Sequence, residues 1–468
     1  MRAPISVLEQ AIGELTAQRG IPGAAVALWG PEGECFARGY GHADMKGKRP
    51  VDADTVFGIA SMSKSMVALC CAILEAEGLL SLDDPVYRYF PAFRVPGAAR
   101  DAVTLWHLAT HTAGIPPIEV LEWCIAAHTE RDDPEQRALR VAAPGRFDTI
   151  DEVIEYIAHC PYPALGAPGE YMSYSNEGYA ILSYVVDQAA GMPLEAFLRD
   201  RIFAPLGMTR TVLDVDASEA RVLSGGNITS LFERGKDGLT CDEAWSVLPP
   251  YRGCGLVKST ARDMAAYYRC LASEGAHEGV QVVPRAAIRR MIGPAFAARR
   301  RPVYALGLNK REAHGRVLCE HSGGLHGVSS HGGFLPELGY GYAVLLNIGD
   351  EDAERVSWRL LNWIQGLPLE TDQRWYAPLG RAFSDPEMLH GVYRSHEGLP
   401  VDVTISAGES GLVAEKDGKA LPLQYCGGTT FAAYDEKGET AMRLDALIRG
   451  GQAWAMRVGS RVYQRAEG

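Results

Sequence analysis

The chain has 468 residues, which is too long for one ordinary domain and leaves ample apolar sequence for a buried core. Hydrophobic residues make up 47% and charged residues 22%, a balance typical of globular proteins and not of disordered or fibrous ones. The net charge of -12 argues against nucleic acid and against an acidic membrane surface as partners, because both require a basic protein surface.

Cysteine usage and the start of the chain indicate the compartment. The 10 cysteines are scattered without a CxxC pair, which indicates reduced thiols. Near the start, Glu9, Glu14 and Arg19 interrupt a helical pattern, so the apolar run of a secretory signal is missing. No later stretch reaches the roughly 18 apolar residues that span a bilayer. We therefore expect a cytoplasmic protein.

The first elements in the chain are a helix at residues 5–18 and a strand hairpin formed by "GAAVALWG" and "CFARGYG". A second strand-rich region covers residues 316–349, and a helical period returns after it. Between them lies a long middle of helical segments and loops. We predict an α/β (α+β) fold in which an antiparallel sheet is flanked by helices, with a mostly helical subdomain and a cleft between the two.

The character of the sequence changes after Gly366. Residues 368–385 are rich in proline and polar residues and are typical of a linker. Beyond them, eight short segments such as "VDVTISAG" and "ALPLQYC" are separated by glycines and charges, which predicts a small antiparallel β-barrel. The predicted domains are therefore residues 1–367 and 386–468, joined by the linker.

A serine and a lysine stand at the head of an otherwise apolar stretch, "VFGIASMSKSMVALCCAILEAEGLL". Ser61 and Lys64 are three residues apart, which places them on the same face of a helix. A serine hydroxyl becomes a nucleophile when a base takes its proton, and a desolvated lysine can be that base because burial favours the neutral amine. A capping serine beside a solvated lysine would give the same SxxK pattern.

A second polar motif occurs in "PGEYMSYSNEGYAIL". Tyr174 and Asn176 are two residues apart and would face the same way in an extended segment. A tyrosine at such a place could relay a proton, and an asparagine amide could bind a substrate carbonyl or steady the lysine. The YxN pattern alone is weak evidence for this.

The third motif lies in "EHSGGLHG", on a predicted strand. His321 and Ser322 precede Gly323 and Gly324. Paired glycines would let a substrate backbone approach closely, and a strand N–H could help to bind an oxyanion. An HxG pattern by itself is common.

Taken together, SxxK, then YxN, then [KH]-[ST]-G resemble the class C β-lactamase and penicillin-binding-protein-like serine hydrolases, which include DD-peptidases, D-aminopeptidases and esterases. The stretches "HLATHTAGIP", "IFAPLGMTRT" and "GCGLVKSTARDM" are also similar to this family. The resemblance covers about residues 1–365. It implies a β-lactamase/transpeptidase-like catalytic domain, followed here by the predicted barrel, which would be lipocalin-like.

The resemblance also implies roles for the residues of the three motifs. Ser61 would attack a carbonyl carbon, Lys64 would accept the serine proton, and Tyr174 would pass a proton to the leaving group. Asn176 would bridge the lysine and the substrate. The N–H groups of Ser61 and Gly324 would bind the oxyanion. His321 would be one of the catalytic residues, and Ser322 and Gly323 would contact the substrate.

Two other kinds of site fit the sequence less well. His107 and His111 have the i, i+4 spacing of a zinc pair, but the glutamate of HExxH is missing and no third ligand stands out. No GxSxG stretch occurs, which removes the α/β-hydrolase alternative. We expect neither a metal nor another cofactor. His326 and His331 either line the cleft or lie on loop and strand surfaces.

His321 narrows the choice within the family. The β-lactamases carry a lysine at this position, whose charge helps to bind the substrate carboxylate, whereas a histidine of ordinary pKa is mostly neutral at neutral pH. Efficient β-lactamase activity is therefore not expected. A histidine here is similar to certain DD-carboxypeptidases, D-aminopeptidases and esterases.

The preferred prediction is a cytoplasmic serine hydrolase acting on peptides or amides of D-amino acids, with a small-molecule, amide, ester or peptide substrate as its partner. The alternative is a carboxylesterase or a peptide-cyclising thioesterase of the penicillin-binding-protein type. A catalytically inactive sensor or scaffold is less favoured, because all residues of the SxxK and YxN motifs are present. The sequence carries no signal for the oligomeric state, for the acyl side chain or for the role of the barrel.

Overall fold

The structure is a computed structural model that describes residues 2–46, 48–235, 238–293, 301–409 and 411–466. The chain forms two compact units. The first consists of Met1–Asp84, His128–Glu130 and Tyr179–Gln373, and the second consists of Pro85–Ala127, Arg131–Gly178 and Arg374–Gly468.

Helices occur in both units. In chain order they are α1 (Ile5–Gln18), α2 (Ser63–Ala76), α3 (Leu105–Ala109), α4 (Val120–His128), α5 (Pro134–Ala142), α6 (Ile150–Ala158), α7 (Asn176–Ala190), α8 (Leu194–Leu198), α9 (Ser218–Leu223), α10 (Arg252–Gly255), α11 (Ala261–Ala272), α12 (Arg285–Ile292) and α13 (Ala353–Gln365). Within the described residues, none of the helices has the length and apolar character needed to cross a bilayer.

The strands fall into a group before residue 347 and a group after residue 390. They are β1 (Gly23–Gly30), β2 (Gly33–Gly41), β3 (Phe57–Gly58), β4 (Val212–Leu213), β5 (Leu231–Gly235), β6 (Gly238–Asp242), β7 (Val257–Ser259), β8 (Ala276–His277), β9 (Val280–Gln281), β10 (Val303–Tyr304), β11 (Asn309–Ala313), β12 (Arg316–Leu325), β13 (Val328–Leu335), β14 (Tyr340–Leu346), β15 (Gly391–Ser395), β16 (Val401–Gly408), β17 (Gly411–Lys416), β18 (Lys419–Pro422), β19 (Gln424–Gly427), β20 (Thr430–Tyr434), β21 (Thr440–Arg449), β22 (Gln452–Val458) and β23 (Arg461–Arg465).

One antiparallel sheet organises the first unit. Its strand order is β10-β11-β12-β13-β14-β1-β2, so the hairpin from the start of the chain extends a sheet built from strands near residue 330. Ala24 of β1 pairs with Leu346 of β14, and Trp29 pairs with Gly341. The prediction that strands distant in sequence form a single antiparallel sheet is confirmed, and with it the α/β (α+β) fold class.

Helices cover both faces of this sheet. On β14, Tyr342, Val344 and Leu346 share an apolar core with α1 and α13, because alternate residues of a strand point to the same face. Gly341 points to the other face, where a Cβ would lie 2.2 Å from the Arg269 backbone nitrogen. The absence of a side chain at Gly341 therefore lets α11 pack directly against the strand.

Helix α2 lies inside the first unit. Every residue from Ser63 to Leu74 is buried, and the Tyr267 hydroxyl of α11 donates a hydrogen bond to Ser65 Oγ at 3.2 Å. The polar side chains at the start of α2 are therefore enclosed by protein. This excludes the alternative in which Lys64 is a solvated lysine beside a capping serine.

The second unit contains a nearly closed antiparallel sheet, which in the described residues has the strand order β18-β17-β16-β15-β23-β22-β21-β20-β19. Its two edge strands, β18 and β19, follow each other in the chain and are joined only by Leu423. A single residue thus connects opposite edges, which curls the sheet towards closure. The predicted small antiparallel β-barrel is confirmed.

The number of barrel strands differs from the prediction. The stretch "ALPLQYC" was expected to form one of eight strands, but it is divided into two, so that nine strands are present among the described residues. The division falls at Leu423, whose N–H donates to Leu412 O at 2.8 Å instead of continuing either strand. The sequence does not reveal this break, because the alternation of apolar residues continues unchanged through Leu423.

The barrel packs against other segments of the second unit. Leu165 is buried together with Ala455 and Val462 of the barrel. The rings of Trp454 and Tyr171 meet edge to face, with centroids 5.0 Å apart. The division into residues 1–367, 368–385 and 386–468 stays a prediction.

Candidate active site

The chain turns sharply just before Ser61. Ala60 has a φ of 44°, in the left-handed region that costs a residue with a side chain about 1 kcal/mol or more. Two hydrogen bonds fix the turn: Ser63 Oγ donates to Ala60 O at 2.7 Å, and Ser330 Oγ donates to Ile59 O at 2.8 Å. Ser61 therefore lies on the 3-10 turn that precedes α2 and keeps part of its surface exposed.

Lys64 is completely buried beside this turn. Its Nζ lies 3.0 Å from Ser61 Oγ and donates to Cys254 O at 2.7 Å, and the Tyr179 ring centroid is 5.9 Å away. In a neutral amine, the lone pair can accept the Ser61 proton while one N–H still donates to the carbonyl. The structure thus brings together the two residues of the SxxK motif in a geometry suited to nucleophile and base.

The position of the Cys254 carbonyl depends on a missing side chain. Gly253 lies in the short helix α10, and a Cβ there would be 2.6 Å from Ser183 Cβ and 3.0 Å from Val67 Cγ2 of α2. Only glycine allows α10 to pack this closely against α2. Gly255 differs, because a Cβ there would find its nearest neighbour at 3.7 Å, an ordinary contact.

Strand β12 packs against the turn that precedes Ser61. A Cβ at Gly323 would lie 2.4 Å from Ile59 O and 2.4 Å from Ser330 Oγ. Glycine is therefore required at this position by the packing of strand against turn. The proposal that the paired glycines let a substrate backbone approach closely stays a prediction.

Beyond Glu320, strand β12 has an open edge. Strand β11 pairs with β12 only as far as Glu320, and no other strand of the described residues pairs with that edge. Ser322 is exposed, and a Cβ at Gly324 would have no atom within 4 Å. Backbone N–H groups on an open strand edge are the feature that the predicted oxyanion role of Gly324 requires.

His321 is buried and neutral. Its Nδ1 lies 2.5 Å from Ser322 O and its Nε2 lies 2.9 Å from the Tyr304 hydroxyl. Because a carbonyl oxygen only accepts, Nδ1 carries the proton and Nε2 accepts from the tyrosine. Burial, and secondarily the charge of Lys64, lower the pKa of His321 to about 3. At neutral pH this histidine therefore supplies no positive charge for a substrate carboxylate.

Tyr174 and Asn176 belong to the second unit. The predicted extended segment ends at Ser175, because Asn176 begins α7. His111 fixes the segment: Ser173 N–H donates to His111 O at 2.9 Å, and Ser175 N–H donates to His111 Nδ1 at 3.1 Å. The rings of His111 and Tyr174 have centroids 4.2 Å apart. Tyr174 is partly exposed, and Asn176 is buried.

His107 and His111 are explained by local structure. Each uses Nδ1 to accept a backbone N–H: His107 accepts from Thr104 at 3.1 Å, which caps α3, and His111 accepts from Ser175. The i, i+4 spacing that resembled a zinc pair thus arises from two separate backbone contacts.

His326 and His331 lie in polar clusters of the first unit. His326 has a carboxylate near each ring nitrogen. His331 and Glu320 are buried beside the half-buried Glu354, and the spacing of the three side chains could fit a metal ion. However, Glu320 also forms an ion pair with Arg311 at 2.6 Å, so the guanidinium already supplies positive charge there.

Sequence reasoning missed two residues that complete the site in the first unit. Cys254 acts through its backbone carbonyl, and only the glycines of "GCGLVKST" mark its place. Tyr304 belongs to no motif, and only the structure places its hydroxyl against His321.

The chain is similar to known proteins in both sequence and fold. The sequence model of the Beta-lactamase family matches residues 8–366. The chain belongs to the β-lactamase family. Within this family it is similar to esterase EstB of Burkholderia gladioli, with 36% identity over 187 residues that cover 39% of this chain and 45% of the esterase. The chain spans 34% to 54% of the length of the first curated relatives that it matches.

Solved structures of β-lactamase-like fold are also similar. The octameric penicillin-binding protein homologue from Pyrococcus abyssi matches over 99% of both chains, with a TM-score of 0.68 and 22% identity. The D-amino acid amidase from Ochrobactrum anthropi SV3, in complex with L-phenylalanine amide, covers 78% of this chain and 99% of its own, with a TM-score of 0.61 and 24% identity. These likenesses show the fold, and the first of them includes the barrel.

Replacing Gly253 with alanine should slow acylation of Ser61 by about tenfold, equivalent to about 1.4 kcal/mol. The new methyl would collide with Ser183 and move the Cys254 carbonyl away from Lys64. The measurement is the rate of covalent labelling by a fluorophosphonate. Gly255→Ala is the matched control, since that Cβ has room, and it should label at the wild-type rate. Equal rates in all three proteins would contradict a role for the carbonyl.

Replacing His321 with asparagine should reduce the amount by which the free energy of unfolding falls in acid. The pKa of His321, about 3 in the folded protein, lies below the value near 6.5 of an unfolded histidine, so the unfolded chain binds more protons between these values. Its contribution to stability is thus present above pH 6.5 and lost as the pH falls. Urea unfolding at pH 7.5 and pH 5 should show wild type losing about 2 kcal/mol more than the variant. Parallel losses would be inconsistent with a neutral buried imidazole.

Proposed function

We propose that this protein is a serine hydrolase that forms an acyl-enzyme on Ser61 and hydrolyses amides or peptides of D-amino acids. The observation that carries the proposal is the 3.0 Å separation between Ser61 Oγ and Nζ of the buried Lys64. Burying an amine lowers the free energy of unfolding. Beside a partly exposed hydroxyl, however, the buried amine can act as the base that activates the nucleophile.

In acylation, Ser61 Oγ would bond to the substrate carbonyl carbon as its proton passes to Lys64 Nζ. The N–H groups of Ser61 and Gly324 would bind the oxygen as it becomes negative. The carbon–nitrogen bond then breaks, and the leaving amine takes a proton from Tyr174. Before deacylation, Lys64 gives up the proton it received and Tyr174 regains one, both by exchange with solvent water. Asn176 would contact the lysine and the substrate amide.

In deacylation, water would attack the ester carbonyl and give up a proton to Lys64. The bond between Ser61 Oγ and the carbonyl carbon then breaks, and the serine oxygen takes the proton that Lys64 received from water, which returns Lys64 to the neutral amine. The products are a free acid and the regenerated serine. No metal or cofactor is needed for either step.

Because His321 is neutral, we expect the part of the substrate that binds beside it to be uncharged. A lysine there would attract a carboxylate, whereas an imidazole with a pKa of about 3 does not at neutral pH. An amino acid amide or an internal peptide bond satisfies this condition, and a carboxylate-bearing β-lactam does not. The fold shared with a D-amino acid amidase is consistent with the amide assignment.

A carboxylesterase is the second candidate. The similarity to esterase EstB, at 36% identity over 187 residues, favours it. The same nucleophile and base would serve, with an alcohol leaving in place of an amine.

We further propose that the protein acts in the cytoplasm. All 10 cysteines lie in the described part of the chain and have free thiols there. Seven of these ten, including Cys70 and Cys71, are buried. Free thiols throughout fit a reducing compartment.

Ser61→Ala and Lys64→Ala should each abolish turnover without unfolding the protein, because nucleophile and base act as one unit whose losses do not add. Tyr174→Phe should keep a small residual activity. The measurements are turnover, thermal unfolding, and mass spectrometry of the fluorophosphonate adduct, which should map to Ser61 in wild type. Near-wild-type turnover in Lys64→Ala would disprove the assignment of the base, and an unlabelled wild type would favour an inactive scaffold.

A substrate panel should separate the two candidates. Matched D- and L-aminoacyl amides, the corresponding p-nitrophenyl esters and a chromogenic cephalosporin are compared by kcat/KM. The proposal expects D-amides to exceed L-amides by at least about tenfold, and the cephalosporin to be turned over slowest because His321 carries no charge. Activity confined to esters would favour the carboxylesterase, and rapid cephalosporin turnover would contradict the electrostatic argument.

A further inference from the structure

The turn between the last two barrel strands contacts Tyr174. Ser460 O accepts the Tyr174 N–H at 2.9 Å, and Val462 N–H donates to Ser173 Oγ at 3.2 Å. Between these two residues, the guanidinium carbon of Arg461 lies 4.5 Å from the centroid of the Tyr174 ring. Three consecutive barrel residues thus contact two consecutive residues of the segment that carries the YxN motif.

Arg461 is itself fixed within the barrel. Its Nε donates to Glu397 Oε2 at 2.6 Å and its Nη2 donates to Glu397 Oε1 at 2.7 Å, and Nη1 donates to Ser460 Oγ at 3.1 Å. The arginine side chain is only 19% exposed. A bidentate pair of this kind sets the orientation of the guanidinium plane as well as its position.

The guanidinium keeps its charge in this setting. Burial lowers the pKa of Arg461, but Glu397, Tyr174 and Glu177 raise it, and the net result lies above the ordinary value. A cation close to an aromatic ring attracts the electron-rich ring face, and the attraction grows when water is excluded. The contact between Arg461 and Tyr174 is therefore attractive and directional.

We infer that Arg461 is a positioning residue for Tyr174, and that Glu397 fixes Arg461 in the orientation this requires. The inference rests on the proposed function, in which Tyr174 gives a proton to the leaving group. Proton transfer needs the phenol oxygen within hydrogen-bond reach of the leaving atom, and small displacements of such a group lower the rate. The barrel is then part of the catalytic apparatus.

A positioning role for Arg461 predicts a kinetic effect that a purely structural role does not, namely a loss of rate for amides that esters do not share. An amine leaving group must be protonated to depart, whereas p-nitrophenolate departs without a proton. Misplacing Tyr174 should therefore slow acylation by an amide and leave acylation by an activated ester nearly unchanged. General disturbance of the fold would slow both. The value of kcat/KM reports the steps up to acylation for both substrates.

The test compares Arg461→Met and Glu397→Gln with a matched control, Arg457→Met. Arg457 also belongs to the barrel, its side chain is 18% exposed, and it pairs with Asp445 at 3.1 Å. We expect kcat/KM for the best amide to fall at least about tenfold in Arg461→Met, with less than about threefold change for the p-nitrophenyl ester of the same acyl group. Glu397→Gln should show the same selectivity to a smaller extent, and Arg457→Met should show none.

A double-mutant cycle with Tyr174→Phe completes the test. If Arg461 acts through the tyrosine, Arg461→Met should cause no further amide-selective loss when Tyr174 is already phenylalanine. Arg461→Lys, which keeps the charge, should recover part of the amide activity. These results would support the inference.

Equal losses on amide and ester in Arg461→Met, as for a structural residue, would overturn the inference. An amide-selective loss that persists in the Tyr174→Phe background would overturn it too, because Arg461 would then act on something else. If Tyr174→Phe itself shows no amide selectivity, the proposed role of the tyrosine fails together with the inference. Labelling of Ser61 by the fluorophosphonate reports separately on the nucleophile and base.

Discussion

The amine of Lys64 is completely buried beside Ser61, and the other features of the site in the first unit follow from this burial. Desolvating an amine is unfavourable, so its hydrogen bonds must be supplied by the protein. Gly253 lets α10 bring the Cys254 carbonyl to the lysine, and the strained turn at Ala60 presents the serine. Each of these arrangements lowers stability locally, and together they place a base against a nucleophile.

Lys64 also influences the third motif. Burial and the nearby Lys64 keep the His321 imidazole neutral, and the Tyr304 hydroxyl and the Ser322 carbonyl occupy both of its nitrogens. The third motif thus presents a neutral, hydrogen-bonded ring, and the base proposed for the reaction is the lysine alone.

The barrel lies outside the part of the chain that the β-lactamase family model matches, residues 8–366. It nevertheless contacts Tyr174 through the turn at Arg461, and His111 contacts the same tyrosine from the loop after α3. The segment before α7 is therefore fixed from two directions by residues of the second unit. The barrel therefore contacts a motif that lies inside the family match, and a change in the barrel can move Tyr174 without altering the motif itself.

The features that the sequence predicted correctly depend on residues that are close together in the chain. Helix α1 begins and ends at Ile5 and Gln18 as expected, and Ser61 and Lys64 are one helical turn apart, because helical period and motif spacing are local properties. Only the tertiary structure decided the partners of those motifs. The Cys254 carbonyl is 190 residues from Lys64, and a backbone carbonyl has the same chemistry at every position, so no pattern marks it. The break at Leu423 and the contact of Arg461 with Tyr174 likewise depend on how distant segments pack, which the periodicity of one segment does not encode.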